Sequence, residues 1–477
     1  MLSLPKRGGA ILCLLAGGSL LQPTPLMARE LTLRFQARSD APELSCPAVS
    51  GVVPRRPSQA PKPSSDVGMP DATDLEGLPG PVSLPQANIP KEYLRRFKLP
   101  PKGSTQPLHI GLWGDSHLAA GFVGDALTQV LRNRGYRVGQ RWISLAMGRP
   151  GVRTPLRKVC VSPQWSFEPA YQARGGQLPV GPDLARLQTA RRDTFLWLDL
   201  RDAGRRAHIK TVDIFYQPGP RGAGLLIGVD DARARPVRLS PARKQERPGR
   251  LRVQVDGAMS LLKLRVMAGA ITLYGIRTEA VDPPDVELDL MAYPSATVRG
   301  WAMADTGTLH ALLGEDDFDA VVLAYGTNEG NVTPFEATPY AGMLTSALHG
   351  LRTALPRASC LLVGPTDRGR LLTARARDAA QQTRSHRLLH YARVHQEIAD
   401  VQDRLGTEVG CGLWRWQAYM GGQGSIYRWR MQSPPLAAPD LVHLTPEGYR
   451  QSGKALAGVL GWDEHPSSAL PFEPSPP

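Results

Sequence analysis

Three apolar segments, each followed by a polar turn and a helical pattern, constrain the fold more than any other feature of the chain. They span residues 108–113, 319–325 and 360–363. An amphipathic pattern follows the first segment, helical patterns that include residues 373–405 follow the others, and a last helix is predicted from Thr445. Repeated strand, turn and helix are typical of a parallel sheet covered by helices. We therefore predict an α/β fold.

A different pattern interrupts these repeats. Between residues 194 and 279, short segments alternate apolar and polar side chains with a period of two, and no helical pattern separates them. Short strands without helices between them are typical of an antiparallel sandwich. The predicted strands span residues 195–200, 209–216, 225–229, 251–255, 261–266 and 271–276. We predict an all-β sandwich inserted into the α/β domain.

The chain also contains a proline-rich stretch, with 14 prolines between residues 42 and 107. Proline fixes φ and has no backbone N–H, so this density predicts an extended arm or linker. The predicted units are a leader at 1–28, a proline-rich arm at 29–107, an α/β domain split between 108–190 and 280–465, a sandwich insert at 191–279, and a disordered tail at 466–477.

The first residues have the order of a secretory signal peptide. Lys6 and Arg7 precede an apolar stretch at 10–21, and small residues end at Ala28. The alternative is an uncleaved anchor, but a membrane-spanning helix needs about 20 apolar residues. We expect cleavage after Ala28, a periplasmic or secreted protein, and no stable membrane insertion after cleavage.

Export bears on the oxidation state of the cysteines, because an exported protein enters an oxidising compartment. Without Cys13 an even number remains, and an exported protein can pair them in two disulfides with three possible connectivities. Cys360 and Cys411 are a reasonable pair if they lie on neighbouring strands, while four buried free thiols remain the alternative. The remaining cysteines are Cys46, Cys160, Cys360 and Cys411.

The charge is basic but dispersed. Lys and Arg number 57 against 43 Asp and Glu, which gives a formal net charge of +14. Basic residues occur in scattered pairs and are not interleaved with aromatic residues, so nucleic-acid binding is not predicted. A basic surface of this kind favours weak attraction to anionic polymers.

Two polar motifs follow apolar strands. Gly114-Asp115-Ser116-His117 ends the first strand and begins a helix, where the backbone favours negative charge. Gly326-Thr327-Asn328-Glu329 ends a later strand. The carboxyl ends of parallel strands lie at one edge of the sheet, where ligands bind. Each motif alone is a common turn, but their shared position at one edge of the sheet predicts a functional site.

A third motif supplies a histidine and a carboxylate. Asp440 and His443 are three residues apart, just before the helix predicted from Thr445. In one turn, the carboxylate can orient the imidazole while the other ring nitrogen faces a serine. A nucleophile, a base and an orienting group are what acyl transfer through a serine requires.

In this order, the three motifs resemble the SGNH hydrolase superfamily, also called GDSL esterases, over residues 108–127 and roughly 286–460. The resemblance implies a three-layer, flavodoxin-like α/β hydrolase domain with a parallel sheet, here interrupted by the sandwich. It implies that Ser116 is the nucleophile, His443 the general base and Asp440 its orienting group. Asp115 and Gly326 would support the site.

The same resemblance implies an oxyanion hole. Its donors would be the backbone amide of Ser116, the side chain of Asn328 and a backbone amide that the family takes from a glycine. In this chain the corresponding stretch, 290–297, has Ser295 where glycine is usual. An amide donor survives this change only if φ is compatible, and Gly300 is the other candidate.

A closer resemblance is to the periplasmic peptidoglycan O-acetylesterases of Gram-negative bacteria. These proteins have a signal peptide, a sandwich insert similar to a carbohydrate-binding module, and a late glycine-rich stretch, which here is residues 420–425, followed by Trp429. Its glycines would let backbone approach a sugar chain, or the stretch is a mobile loop. Within the insert, Trp197 and Tyr216 are expected to be core residues.

Cofactors and metals are not expected. His386, His390 and His395 lie in one helical pattern, and the first two share a face, but no carboxylate or cysteine stands at zinc spacing. A solvated helix is the prediction. No glycine-rich phosphate loop follows a strand, so nucleotide binding is unsupported.

The sequence therefore predicts an exported serine esterase that removes O-acetyl groups from a polysaccharide, either peptidoglycan or an exopolysaccharide. Two alternatives stay open: a polysaccharide O-acyltransferase that serves, for example, cellulose or alginate assembly, and a non-catalytic accessory protein. The motifs do not separate hydrolysis from transfer, because both proceed through the same acyl-enzyme. The glycan and the oligomeric state are not predicted.

Overall fold

The computed structural model describes residues 29–36, 41–47, 67–80, 89–242, 247–314, 317–373 and 380–463. The predicted signal peptide (1–28) and the predicted tail (466–477) lie outside the described residues, as does much of the proline-rich arm. None of the described helices is long and apolar enough to cross a membrane.

The described residues form 18 strands, 11 α-helices and three short 3-10 helices. The strands are β1 (Glu30–Phe35), β2 (Val67–Gly68), β3 (Leu108–Gly114), β4 (Val138–Gly139), β5 (Trp142–Ile143), β6 (Lys158–Val161), β7 (Ser166–Pro169), β8 (Ala185–Thr189), β9 (Phe195–Asp199), β10 (Ile209–Val229), β11 (Arg235–Leu239), β12 (Gly249–Met259), β13 (Leu261–Ala280), β14 (Val286–Ala292), β15 (Ala320–Ala324), β16 (Ser359–Val363), β17 (Leu372–Thr373) and β18 (Cys411–Trp414). The α-helices are α1 (Ala72–Leu75), α2 (Ser116–Ala119), α3 (Phe122–Asn133), α4 (Arg299–Met303), α5 (Thr306–Leu313), α6 (Ala337–Ala354), α7 (Gln381–Leu388), α8 (His390–Glu408), α9 (Trp416–Tyr419), α10 (Ser425–Met431) and α11 (Pro446–Val459). Short 3-10 helices span Lys91–Phe97, Ala170–Gln172 and Glu329–Asn331.

A parallel sheet forms the centre of the α/β domain. Among the described residues its strand order is β18-β16-β15-β3-β14-β4, and each neighbouring pair is parallel. Its strands β15 and β16 are almost continuously apolar because helices cover both faces. The predicted α/β class is correct, and the predicted strands at 108–113, 319–325 and 360–363 correspond to β3, β15 and β16.

Two apolar layers lie on the two faces of this sheet. Alternate residues of β15 point to opposite faces, as a strand requires. Val321 and Leu323 pack with residues of α4, α5, α6 and α8. Ala320 and Val322 pack with residues of α3 and α11. The helices and the sheet therefore make the three layers that the sequence analysis expected.

The second, β-rich sheet is larger than the predicted insert. Within the described residues it holds ten strands, including β5 to β8, which precede the predicted start at residue 191. The predicted strands at 209–216 and 225–229 are one strand, β10, and those at 261–266 and 271–276 are one strand, β13. Irregular pairing near Pro218 lets the β10–β13 ladder continue where the sequence suggested a turn.

The N-terminal segment also departs from the prediction of an arm. β1 pairs in parallel with β12 over six residues and so joins the β-rich sheet. A disulfide from Cys46 to Cys160 on β6 fixes the segment that follows. The second disulfide joins Cys360 and Cys411, which face each other on the neighbouring strands β16 and β18. The structure therefore contains two disulfides, Cys46–Cys160 and Cys360–Cys411, which is one of the three connectivities that the sequence left open.

Buried polar contacts join the two sheets. Asp289 on β14 accepts hydrogen bonds from the backbone N–H groups of Arg141 and Trp142, at 2.7 and 2.9 Å. Its other oxygen lies 2.6 Å from Nε2 of His109 on β3. Hydrogen bonding to a charged partner satisfies carboxylates that would otherwise be costly to bury. The β-rich unit is thereby fixed to the sheet that carries the polar motifs.

Candidate active site

Three adjacent strands bring the polar motifs together. β14, β3 and β15 are neighbours, and Ala292, Gly114 and Ala324 lie side by side at their carboxyl ends. The loops that follow hold Ser295, Ser116 and Asn328 in turn. Residues far apart in the sequence therefore meet at one edge of the sheet, as predicted.

Ser116, His443 and Asp440 form a chain of hydrogen bonds. Ser116 Oγ lies 2.9 Å from Nε2 of His443. Nδ1 of His443 lies 2.7 Å from Oδ2 of Asp440. In this arrangement the imidazole donates through Nδ1 and accepts from the hydroxyl through Nε2, which is the tautomer that a general base needs.

The loop before α11 holds the carboxylate in place. Asp440 Oδ1 accepts from the backbone N–H groups of Val442 and His443, at 3.0 and 2.9 Å. Leu441, between Asp440 and Val442, has φ +56°. Thr445 ends the loop by capping α11 with its side chain, which accepts from the Gly448 N–H. Backbone donors on one oxygen leave the other free for the imidazole.

The directions in which the pKa values of His443 and Asp440 are shifted agree with these hydrogen bonds. The hydrogen bond with Asp440, followed by the attraction of its charge, raises the pKa of His443 above 6.5, although burial acts in the opposite sense. Burial alone would raise the pKa of Asp440, but hydrogen bonds from His443 and the backbone hold it well below its usual range. Asp440 is therefore ionised at neutral pH and can stabilise an imidazolium.

Of the two candidates for the second oxyanion donor, Ser295 fits the expected geometry better than Gly300. Ser295 has φ +67°, the left-handed conformation that glycine favours, so serine adopts the required backbone. No described residue accepts from its N–H. The Gly300 N–H, in contrast, already donates to the Thr297 carbonyl at 3.0 Å.

Asn328 is positioned by the neighbouring loop. Its Nδ2 donates to the Ala296 carbonyl oxygen at 2.9 Å. A side-chain amide has two N–H donors, so one remains for a substrate oxygen. The Ser116 amide is at the first position of α2, where a helix offers no acceptor. These three donors, from three neighbouring loops, could surround one developing oxyanion.

The two predicted supporting residues have distinct structural roles. Asp115 is buried and caps α2, since its side chain accepts from the His117 N–H at 2.9 Å. Burial raises the pKa of Asp115 to about 7. Gly326 has φ +133°, and a Cβ there would lie 2.9 Å from Pro365 Cδ, so the turn after β15 excludes larger residues.

Glu329 is a functional candidate whose role the sequence analysis missed. Its buried carboxylate accepts from the Val298 N–H at 2.8 Å and from the Gly326 N–H at 3.0 Å. Burial raises its pKa to about 7. A glutamate next to a conspicuous asparagine gave no signal of its own, and only the tertiary contact shows that it joins two site loops.

A buried histidine packs against the hydrogen-bonded chain of Ser116, His443 and Asp440. The His117 ring is 5.3 Å from that of His443, and its Nδ1 lies 3.0 Å from the Tyr449 hydroxyl. Burial, followed by the nearby His443, lowers its pKa well below 6.5, so His117 is neutral. A neutral ring supports His443 by packing and does not add a competing positive charge.

The helical histidines differ from the predicted solvated row. The helix is interrupted at Leu389, between α7 and α8, so His386 and His390 lie on different helices. His395 is fully buried, with Nδ1 2.7 Å from the Thr366 carbonyl oxygen, and burial lowers its pKa to about 4. Within the described residues, no group of His, Cys, Asp or Glu has the arrangement of a metal site.

The glycine-rich stretch forms the connection between α9 and α10. Gly421, Gly422 and Gly424 all have positive φ, between 79° and 104°. The stretch packs against Asp367, whose backbone N–H contacts Met420 Sδ at 3.3 Å and whose carboxylate accepts from the Ile426 N–H at 2.9 Å. The stretch also contacts α8, because Gln423 Nε2 donates to Gln396 Oε1.

The two expected core residues of the β-rich unit differ in burial. Tyr216 is 2% exposed and packs in the core of that unit. Trp197 is partly buried: it packs against a smaller apolar cluster that includes Phe195 and Leu261, and the ammonium of Lys263 lies 5.5 Å from its ring centroid. Tyr216 therefore lies in the core, and Trp197 lies at its edge.

Comparison with known proteins defines the fold class. No protein-family model matches the chain, and no curated protein gives a significant match. Among solved structures, it is similar to a peptidoglycan O-acetylesterase at 19% identity, with a TM-score of 0.56 over 78% of this chain and 93% of that one. The chain therefore shares the α/β fold of that enzyme, which agrees with the predicted α/β class with a parallel sheet.

Weaker likenesses are to other esterases. One is a family two carbohydrate esterase from Clostridium thermocellum, in complex with cellohexaose, at 9% identity and a TM-score of 0.24 over 64% of this chain and all of that one. Another is an acetyl xylan esterase at 15% identity and a TM-score of 0.24, over 36% of this chain and 81% of that one. A shared fold does not by itself define a reaction, so function rests on the site.

Proposed function

We propose that this protein is a serine esterase that removes O-acetyl groups from a carbohydrate polymer. The observation that carries the proposal is the hydrogen-bonded chain from Ser116 through His443 to Asp440, at distances of 2.9 and 2.7 Å. It lies beside three candidate oxyanion donors, as nucleophilic acyl transfer needs.

The proposed reaction has two steps. Ser116 Oγ attacks the acetyl carbonyl carbon while His443 takes the hydroxyl proton, and the tetrahedral oxyanion is bound by the Ser116 and Ser295 amides and by Asn328. The intermediate expels the sugar oxygen, which takes the proton back from His443. Water then gives a proton to His443 and attacks the acetyl-serine, which releases acetate and regenerates Ser116.

Two observations support a carbohydrate polymer as the substrate. The side chains of His443 and Asp440 are 40% and 51% exposed and Ser116 is partly exposed, so the proposed site opens to a surface that a long chain can reach. A solved structure that shares this fold is a peptidoglycan O-acetylesterase. Transfer of the acetyl group to a second sugar is not favoured by any feature of the described residues.

We also propose that the protein is exported to the periplasm or the medium. The signal-peptide pattern of residues 1–28 suggests it, and two disulfides are typical of an oxidising compartment. The mass of the mature protein recovered from a periplasmic or culture fraction tests this. A protein that retains residues 1–28 and stays in the cytoplasm would contradict it.

The activity is tested by acetate release from O-acetylated peptidoglycan, acetylated xylan and a small acetyl ester. Ser116→Ala removes the nucleophile, and Ser346→Ala, on the exposed face of α6, is the matched control. We expect the wild type and the control to release acetate, and the rate of release by Ser116→Ala to be lower by about 10³-fold or more. Equal rates in the three proteins would refute the esterase. Acetate found on added glycan in place of free acetate would identify a transferase.

A further inference from the structure

The loop after β16 brings two arginines to the candidate active site. β16 is a neighbour of β15, so its carboxyl end lies at the same sheet edge. The Gly369 N–H donates to the Leu441 carbonyl at 2.9 Å, in the loop that carries Asp440 and His443. The loop after β16 and the loop of the catalytic base are therefore in direct contact.

Arg368, Arg370 and Tyr391 form what we call the arginine ledge. The guanidinium carbon of Arg368 lies 3.9 Å from the centroid of the Tyr391 ring, and that of Arg370 lies 5.6 Å from it. Arg368 Nη1 also donates to Asn331 Oδ1 at 2.6 Å. Stacking on an aromatic ring fixes the plane of a guanidinium and leaves its edge for a ligand.

The ledge lacks a carboxylate partner in the part of the chain that the structure describes. Neither Arg368 nor Arg370 has an Asp or Glu oxygen within 4.0 Å there, and Arg368 Nε is buried without a hydrogen-bond acceptor. Arg415, in contrast, is paired with both Asp400 and Asp403. A half-buried, fixed guanidinium without a counter-ion is costly unless an anion joins it.

Further positive charge surrounds the ledge. Arg393 and His386 join Arg368 and Arg370 in lowering the pKa of His390, on which burial has the larger effect. Asp440 is the carboxylate whose charge acts against the effect of burial on the pKa of Arg368, and it is already hydrogen-bonded to His443. The surface beside the nucleophile is therefore cationic, in a chain whose net charge is +14.

The ledge is held from beneath by buried contacts. Asp367 accepts from Gln417 Nε2 at 2.8 Å and from the Ile426 N–H at 2.9 Å. The Tyr427 hydroxyl accepts from the Arg370 N–H at 2.8 Å. A loop fixed in this way presents its side chains without a large ordering cost when a ligand binds.

We propose that Arg368 and Arg370 bind a carboxylate of the glycan next to the acetylated sugar, so that the preferred substrate is an acidic O-acetylated polysaccharide. This inference rests on the proposed esterase function and adds a substrate class to it. A guanidinium binds a carboxylate through two parallel N–H donors, which would also orient the acetyl group over Ser116. The carboxylate comes either from a uronic acid or from the free carboxyl groups of peptidoglycan.

The test compares each substrate with its uncharged form. One pair is acetylated oligogalacturonate and its methyl ester, and the other is O-acetylated peptidoglycan before and after amidation of its free carboxyl groups. We expect kcat/KM to be at least about tenfold higher for the charged form in one pair, through a lower KM. The uronic-acid pair and the peptidoglycan pair distinguish the two sources. Equal kcat/KM within both pairs would overturn the proposal.

Substitutions of the two arginines test whether they cause the preference for the charged substrate. In Arg368→Gln and Arg370→Gln the charged-to-uncharged ratio should fall toward one, while Arg370→Lys should retain part of it. Because each ratio is measured on one protein, a general loss of folding or activity cancels. Arg238→Gln, exposed on β11 of the β-rich sheet, makes the same charge change and should keep the wild-type ratio. A ratio unchanged in both ledge variants would overturn the assignment.

A binding measurement separates this inference from the esterase itself. Full-length Ser116→Ala protein is titrated with deacetylated oligogalacturonate and with its methyl ester by calorimetry, and likewise with the two forms of solubilised peptidoglycan. Tighter binding of a charged form, weakened by salt, supports the ledge even if no ester is hydrolysed. Hydrolysis of esters without any preference for charge, in rate or in binding, refutes the ledge and leaves the esterase standing.

Discussion

The Glu329 carboxylate accepts a hydrogen bond from the Val298 N–H at 2.8 Å and is buried between the loops after β14 and β15. Its other oxygen accepts from the Gly326 N–H at 3.0 Å. These two loops carry Ser295 and Asn328. Glu329 therefore fixes the distance between two proposed oxyanion donors without contacting the substrate itself, which makes it a positioning residue.

Removing this carboxylate should impair the chemical step more than substrate binding. We expect Glu329→Ala to lower kcat for an acetyl ester by about 10²-fold with a small change in KM, because small displacements of catalytic donors are costly. Glu329→Gln keeps an acceptor oxygen for one of the two loops and should lose less. Steady-state kinetics measure both, and the exposed Glu336→Ala is the control. A change confined to KM would contradict the positioning role.

The backbone at Ser295 makes a separate prediction about stability. A residue other than glycine at φ +67° is strained by about 1–2 kcal/mol. Ser295→Gly relieves this strain, so we expect it to keep activity and to be as stable as the wild type or up to about 1 kcal/mol more stable. Ser295→Val, with a branched Cβ, should lose both stability and activity. Thermal unfolding and kcat/KM on one acetyl ester test the pair, and equal behaviour of the Gly and Val variants would show that the conformation at this position is unimportant.

The hydrogen bond between Asp440 and His443 predicts a pH dependence. His443 must be neutral to accept the serine proton, and Asp440 raises its pKa, so activity should increase as pH rises through a value above 6.5. Asp440→Asn removes the main cause of this shift. We expect kcat to fall by about 10²- to 10⁴-fold and the acidic limb to move to lower pH. The pH profile of kcat/KM measures the movement, with the exposed Asp282→Asn as a control. An acidic limb that does not move would exclude His443 as the titrating base.

Local patterns predicted the centre of the fold well. The apolar run at 108–113 became β3, and the turn residues after it placed Ser116 at the start of α2. The shared sheet edge of Ser116 and Asn328 followed from one general rule, that parallel strands end at one edge, whereas Asp440 and His443 were recognised by their spacing before a helix. Such signals are short-range, so one sequence suffices to read them.

The missed features depend on long-range contacts. Pro218 suggested a strand end, yet β10 continues through an irregular pairing that β13 stabilises from the other side. β1 forms a strand because β12, more than 200 residues later, offers it an edge. Glu329 and Asp367 look like ordinary polar loop residues until burial and backbone donors are known. Nothing in the local sequence distinguishes a buried carboxylate from a solvated one.

One buried carboxyl group away from the nucleophile predicts how stability varies with pH. Asp183 is 2% exposed, and its Oδ2 accepts from the Leu145 N–H at 2.7 Å and from Ser144 Oγ at 3.2 Å. Burial outweighs these hydrogen bonds and raises its pKa from 3.8 to about 7. The folded state therefore binds this proton more tightly than the unfolded chain does.

The sign of the effect follows from this difference. The contribution of Asp183 to stability is fully present below about pH 4 and is lost as pH rises through about 7, and the shift corresponds to a loss of about 4 kcal/mol. Asp183→Asn is neutral at every pH and keeps an acceptor for Leu145. We therefore expect its free energy of unfolding in urea to fall less than that of the wild type between pH 5 and pH 8. The exposed Asp256→Asn should follow the wild type. If the free energies of unfolding of wild type and Asp183→Asn changed in parallel with pH, the buried carboxyl group would be ionised throughout this range. Its hydrogen bonds would then stabilise the charged form more strongly than burial destabilises it.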